Sequence, residues 1–208
     1  MFDKPSLDLH FQTLRIPATE DWCSLQKRPG CLRLTGRASL ASLHAQSMVA
    51  RRVQSYHVDV ATELAFAPDT FQQMAGLVFY YNTGHYHYLH ITGDDTGQHK
   101  YLSIASSDNF ELTVLETPVE IRGAEKVKLR AVLSREELQF YYSLGDSAYH
   151  PVGGVLDASI LSDDHVREGS ARYRAAFTGC FVGLCCQDLA YNQMPADFFW
   201  FEYRELDK

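Results

Sequence analysis

The sequence predicts an all-β fold, built as one β-sandwich or one barrel. Short runs of strand-forming residues recur along the chain, with turn signals about every 8–12 residues, a spacing typical of such folds. No stretch keeps a helical hydrophobic period over three turns. Twelve tyrosines and twelve phenylalanines in 208 residues also favour strands. Because no linker rich in Ser, Pro or Gly divides the chain, we predict a single β-sandwich domain over residues 1–208.

Alternation and turn residues indicate the individual strands. Residues 57–66 alternate polar with apolar side chains, which predicts a strand with one face in the core. Residues 75–82, AGLVFYYN, are apolar at nearly every position, as in a central strand. The Asn82-Thr83-Gly84 turn then starts a hairpin. The other principal predicted strands are residues 31–34, 86–92, 101–105, 127–133, 138–144, 152–156 and 197–204.

Residues 175–188, AAFTGCFVGLCCQD, are predicted to form a turn followed by a strand that is buried on both faces. Phe177 stands just before the Thr178-Gly179 turn, so its ring either folds into its own core or reaches another surface. We expect the second arrangement, because the turn separates Phe177 from the strand that Phe181 begins. The preceding polar residues, 161–174, are predicted to form a surface loop with one helical turn.

Charge and cysteine usage narrow the classes of partner. The net charge is −7 and no basic stripe occurs, which argues against nucleic acid. No targeting segment and no apolar run long enough for a membrane helix is visible, so no membrane partner is expected. The five cysteines form no CxxC pair, and we expect reduced, buried thiols in a cytoplasmic protein.

Several polar residues raise the question of a metal or catalytic site. His85 and His87 would share one strand face while His90 lies on the other, which is a weak zinc signal. Asp94-Asp95 would offer calcium only two adjacent carboxylates, and Asp163-Asp164 is similar, so solvated turns are the preferred interpretation. No cofactor and no metal is predicted, with calcium left open. Paired acids could also hydrolyse glycosides, but one sequence does not fix their separation.

Aromatic side chains could instead form a platform that stacks on sugar rings. The candidates lie mostly within predicted strands, where a place in the core is the preferred interpretation. They are Trp22, Trp200, Tyr80, Tyr81, Tyr86 and Tyr88.

The chain resembles the C-terminal domain of glycoside hydrolase family 43 β-xylosidases. Matching runs extend over nearly the whole length and keep their order. They are residues 11–17 (FQTLRIP), 28–30 (RPG), 32–34 (LRL), 46–47 (QS), 50–52 (ARR), 71–77 (FQQMAGL), 80–83 (YYNT), 161–164 (LSDD), 177–179 (FTG), 181–183 (FVG) and 195–198 (PADF). Residues 84–87 and 170–174 differ from the family's runs, which leaves the ordinary substrate open.

The resemblance implies a concanavalin A-like jelly roll of two antiparallel sheets that follows a five-bladed β-propeller. In the family the propeller carries the catalytic carboxylates of an inverting hydrolase, so the resemblance implies no catalytic residue within these 208 residues and an inactive isolated chain. It also implies that Phe177, with Thr178 and Gly179, closes one wall of the propeller's pocket around a xylo-oligosaccharide. The full-length enzyme would be a β-xylosidase or arabinofuranosidase and a homo-oligomer.

Two alternatives to an accessory domain remain open on the sequence. A free-standing, lectin-like carbohydrate-binding module would present an aromatic platform on a concave face. A self-contained lyase or hydrolase of jelly-roll type would show a cleft lined by convergent acids or by a Tyr/His pair.

Overall fold

The computed structural model describes residues 1–169, 177–191 and 193–207. They form an all-β sandwich of two antiparallel sheets, which settles the choice between sandwich and barrel. Within these ranges, no helix has the length and apolar character needed to cross a membrane.

The first sheet has the order β1-β4-β14-β6-β7-β8-β10, and β9 pairs with part of β8. Its strands are β1 (Gln12–Thr13), β4 (Ser47–Arg52), β6 (Gln73–Asn82), β7 (His85–Gly93), β8 (Lys100–Asp108), β9 (Glu111–Val114), β10 (Val119–Glu120) and β14 (Phe181–Asp188). The strand predicted over residues 75–82 is therefore central, between β14 and β7.

The second sheet has the order β13-β12-β11-β5-β15-β3-β2. Its strands are β2 (Cys23–Ser24), β3 (Leu32–Thr35), β5 (His57–Ala65), β11 (Val127–Ser134), β12 (Glu137–Leu144), β13 (His150–Asp157) and β15 (Pro195–Glu205). In β11 the exposure alternates along the strand, because one face packs on the core and the other meets solvent.

The main core lies between the two sheets and includes Phe79, Phe140 and Phe198. A second apolar cluster covers the outer face of the first sheet. Its buried members are Leu40, Met48, Ala50, Val78, Tyr80, Tyr86, Tyr88 and Cys185. The sequences of β6 and β14 are nearly unbroken apolar runs because each strand contacts the main core on one face and the second cluster on the other.

Gly183 allows β14 to pass close to its neighbour β4. A Cβ atom at this position would lie 2.2 Å from the Val49 carbonyl oxygen and 2.4 Å from the Ala50 Cα atom. The break in the apolar run therefore marks a close backbone approach, one of the interpretations that a glycine inside a strand invites.

The polar segment after β13 contains more helix than expected. A 3₁₀ helix spans Ala158–Leu161, and α1 spans Asp163–Gly169. Asp157 caps the 3₁₀ helix by accepting a hydrogen bond from the Ser159 amide. Within the loop predicted over residues 161–174, the expected helical turn is the seven-residue helix α1, and the 3₁₀ helix ends where that segment begins. Residues 170–176 lie outside the described residues.

The outer strands of both sheets are mostly very short. β1, β2 and β10 have two residues each. β9 has four residues, and all four of them are exposed. The exception is β13, which carries Pro151 and a positive-φ Gly153. Its pairing with β12 is interrupted by a register shift between Leu138 and Phe140.

Candidate functional site

Phe177 projects from the sandwich with 80% of its surface exposed. It precedes the Thr178-Gly179 turn, in which Gly179 has a φ of 68°, a value that suits glycine. The Arg52 guanidinium donates a hydrogen bond to the Thr178 carbonyl oxygen and lies 4.7 Å from the centre of the Phe181 ring. The turn is therefore fixed to β4 and β14 while the Phe177 ring stays outside the domain's own core.

Tyr81 connects this end of the first sheet to α1. Its hydroxyl donates to Asp163 Oδ1 at 2.5 Å, and its side chain also hydrogen-bonds Thr178. Burial raises the pKa of the Tyr81 hydroxyl, the bond to Asp163 raises it further, and the bonds with Thr178 lower it in part. Tyr81 thus places the start of α1 beside the turn that carries Phe177.

The three histidines of β7 are all buried. His87 binds Ser106 Oγ at 2.8 Å and the Asp157 carbonyl oxygen at 3.0 Å, whereas His90 stacks on Tyr88 with ring centres 4.8 Å apart. Burial lowers the pKa of both, to about 4 for His90. These two imidazoles are engaged within the sandwich.

His85 has a different environment, at the start of β7. Its Nε2 atom lies 3.6 Å from Asp108 Oδ1, which also accepts a hydrogen bond from His165 Nε2 at 2.8 Å. Sequence reasoning singled out His85 but missed Asp108 and His165. No spacing in the sequence points to these two residues, since they lie 23 and 80 positions further along the chain than His85.

Two of the acidic residues named from the sequence, Asp94 and Asp164, bond within their own segments. Asp94 accepts hydrogen bonds from the Thr96 side chain and from the amides of Thr96 and Gln98, and so closes its own turn. In α1, Asp164 forms an ion pair with Arg167 at 2.5 Å.

The tyrosines that could have formed a sugar-stacking platform are in the interior. Tyr80, Tyr81, Tyr86 and Tyr88 are buried, and so is Trp22. The preference for a core role is correct for these five residues. A platform made of them is therefore not available at the surface.

All five cysteines are free thiols, four of them buried and Cys180 half-buried. Burial raises the pKa of Cys23, Cys180 and Cys185 to about 12 and that of Cys31 to about 11. Neutral thiols are weak nucleophiles, so these groups have the character of core residues.

The sandwich of two antiparallel sheets has the architecture of a β-domain of the concanavalin A-like class. Residues 1–204 match the family described as the β-xylosidase C-terminal concanavalin A-like domain. The chain belongs to this family, which occurs in β-xylosidases of glycoside hydrolase family 43.

Similar proteins support the same assignment. A β-xylosidase of Bacillus subtilis (strain 168) is 40% identical over 205 residues, covering 98% of this chain and 38% of that protein. A xylan 1,3-β-xylosidase of a Vibrio species is 38% identical over 204 residues, covering 98% and 37%. The crystal structure of a xylan β-1,4-xylosidase from Bacillus halodurans C-125 superimposes with a TM-score of 0.91 at 42% identity, covering 98% of this chain and 38% of that one.

The chain therefore spans less than two-fifths of the length of these relatives. The relatives are full-length family 43 enzymes that contain a catalytic domain as well.

Proposed function

We propose that this chain is the accessory domain of a β-xylosidase or arabinofuranosidase, in which Phe177 closes one wall of a sugar pocket formed by a β-propeller. The observation that carries the proposal is the exposed Phe177 ring on a turn anchored by Arg52. An aromatic ring held in water costs free energy unless a partner covers it. The family to which the chain belongs supplies the kind of partner.

The wall would act through shape and through exclusion of water. A blunt ring at the end of a pocket limits its length, so it admits the end of a xylo-oligosaccharide and releases single sugars. Excluding water also strengthens the electrostatic effect of the propeller's carboxylates on the transition state. In an inverting hydrolase one carboxylic acid protonates the leaving oxygen and one carboxylate activates water, and both would come from the propeller.

The rest of the domain would hold that ring in place. The Arg52–Thr178 and Tyr81–Asp163 hydrogen bonds fix the surroundings of the turn to β4, β6 and α1. Restricting the ring before the partner docks reduces the entropy lost on binding. The reduced thiols are compatible with a cytoplasmic location for the enzyme.

A chimaera tests the proposal, with this chain in place of the C-terminal domain of the B. subtilis β-xylosidase. We expect the chimaera to hydrolyse xylobiose and an aryl xyloside. Phe177→Ala should lower kcat/KM for xylobiose by about 10- to 100-fold, since misplacing a substrate by about 1 Å can cost about 100-fold. The isolated chain should hydrolyse neither substrate.

Tyr191→Ala is the matched control, because Tyr191 is also a largely exposed aromatic residue but lies in the turn at the opposite end of β14. Its kcat/KM should stay close to that of the parent chimaera. Equal activity of the Phe177→Ala variant and its parent, with unchanged circular dichroism, would disprove the wall. Turnover by the isolated chain would reveal a catalytic centre within it.

A further inference from the structure

Three potential metal ligands converge from three separate elements near the Phe177 end of the first sheet. His85 begins β7, Asp108 ends β8 and His165 lies in α1. One ligand atom from each residue lies within 4.8 Å of the other two. Two imidazoles and one carboxylate form a donor set that suits zinc and related divalent metals.

The hydrogen bonds of Asn82 determine which nitrogen of His85 carries the proton. Asn82 Oδ1 accepts from the Gly84 amide at 2.8 Å, which identifies it as the oxygen of the side-chain amide. The same oxygen lies 2.9 Å from His85 Nδ1, so Nδ1 must donate. Neutral His85 therefore directs the lone pair of Nε2 toward Asp108.

This lone pair is in an unfavourable position unless a cation accompanies it. His85 Nε2 is fully buried and has no hydrogen-bond partner among the residues that the structure describes. Its nearest charged neighbour is the Asp108 carboxylate, itself an acceptor, at 3.6 Å.

We propose that His85 Nε2, Asp108 Oδ1 and His165 Nε2 bind one zinc ion, with water in the fourth position. In a tetrahedral site, ligand atoms about 2.0–2.2 Å from zinc are about 3.3–3.6 Å from one another. The separation of 3.6 Å between Asp108 Oδ1 and His85 Nε2 lies at the upper end of that range. The separation of 2.8 Å between Asp108 Oδ1 and His165 Nε2 is a hydrogen-bond distance and must lengthen by about 0.5 Å. Small side-chain movements complete the site.

Zinc binding changes one hydrogen bond and one proton position. His165 Nε2 gives up its hydrogen bond to Asp108, and the proton of neutral His165 then resides on Nδ1. Asp108 and His165 are partly exposed, at 48% and 32% of their side chains, so the ion reaches the site from solvent. His85 is held from behind by Asn82, the type of outer partner that orients a metal-bound imidazole.

The ion would join α1 to the first sheet, since its ligands come from both. This role is structural and does not depend on the proposed pocket wall. It adds to the Tyr81–Asp163 hydrogen bond, which connects the same helix to β6.

The test is zinc titration of the chain without a polyhistidine tag, after removal of metals with a chelator. We expect one equivalent of zinc by calorimetry and by metal analysis after dialysis, and a higher Tm with zinc. Asp108→Asn and His165→Asn should each weaken binding by more than about 100-fold, because loss of an outer partner alone costs about 10–100-fold. Both changes affect partly exposed side chains, so the test does not rely on the buried His85.

His99→Gln is the matched control. His99 Nδ1 lies 2.9 Å from Glu120 Oε1. Among the residues that the structure describes, no third metal-ligating side chain completes a site with this pair. The variant should bind zinc like the native chain. Cobalt(II) serves as a spectroscopic probe, and its spectrum should lack the intense thiolate charge-transfer band.

The proposal is overturned if the native chain does not bind one equivalent of zinc. It is equally overturned if Asp108→Asn and His165→Asn bind as tightly as the native chain. A cobalt spectrum with thiolate ligation would assign the metal to the cysteines instead.

Discussion

Truncation of Phe177 should leave the stability of the isolated sandwich almost unchanged. The ring is 80% exposed, so about one-fifth of its surface is removed from water. Full burial of a Phe side chain is worth about 1.5–3 kcal/mol, and one-fifth of that is about 0.3–0.6 kcal/mol. Phe177→Ala should therefore lower the free energy of unfolding by about 0.5 kcal/mol, as surface changes do.

Urea unfolding followed by tryptophan fluorescence, from buried Trp22 and half-buried Trp200, measures this change. The matched variant is Phe198→Ala, which removes a fully buried ring from the core and should cost about 3–5 kcal/mol. A loss of more than about 2 kcal/mol for Phe177→Ala would mean that the ring belongs to its own core, since a core truncation has that size. The reasoning about an exposed wall would then be wrong.

The remaining predictions concern the core and the acid response. Gly183→Ala should lower stability by about 1–3 kcal/mol in urea unfolding because the new methyl group meets the β4 backbone, whereas Gly154→Ala, with no atom within 4 Å of the new Cβ, should not. Thiol titration should be slow in the native protein and reach five after denaturation; a disulfide found by mass spectrometry would contradict this. Burial is the largest single effect on the pKa of Asp188, and it raises that pKa. Four backbone amides donate hydrogen bonds to the carboxylate, and together they hold its pKa below the ordinary value of 3.8. The ionised carboxylate therefore stabilises the fold above pH 3.8, and this contribution is lost as the pH falls through the pKa of the folded state. In the Asp188→Asn variant, the midpoint of urea unfolding should fall less steeply as the pH is lowered.

Strand periodicity predicted most of the framework, because a sheet imposes its period of two on every residue. The alternation over residues 57–66 corresponds to β5, and the apolar run of residues 75–82 corresponds to β6. The burial of β14 on both faces was also predictable, since a one-sided strand would show polar residues at alternate positions.

The short helices and the histidine cluster could not be predicted in the same way. α1 has only seven residues, too few for a helical period to stand out among charged side chains. His85, Asp108 and His165 meet only because a hairpin, a strand end and a helix come together in the tertiary structure. No spacing within one segment encodes that meeting.

The short or interrupted outer strands limit how this sandwich can associate. A strand added from another chain needs a row of free amides and carbonyls, and the two-residue edges β1, β2 and β10 offer little of it. Along β13, Pro151 lacks an amide proton and Gly153 bends the backbone. Association through a shared hydrogen-bonded sheet is therefore disfavoured, which protects the domain from strand-mediated aggregation.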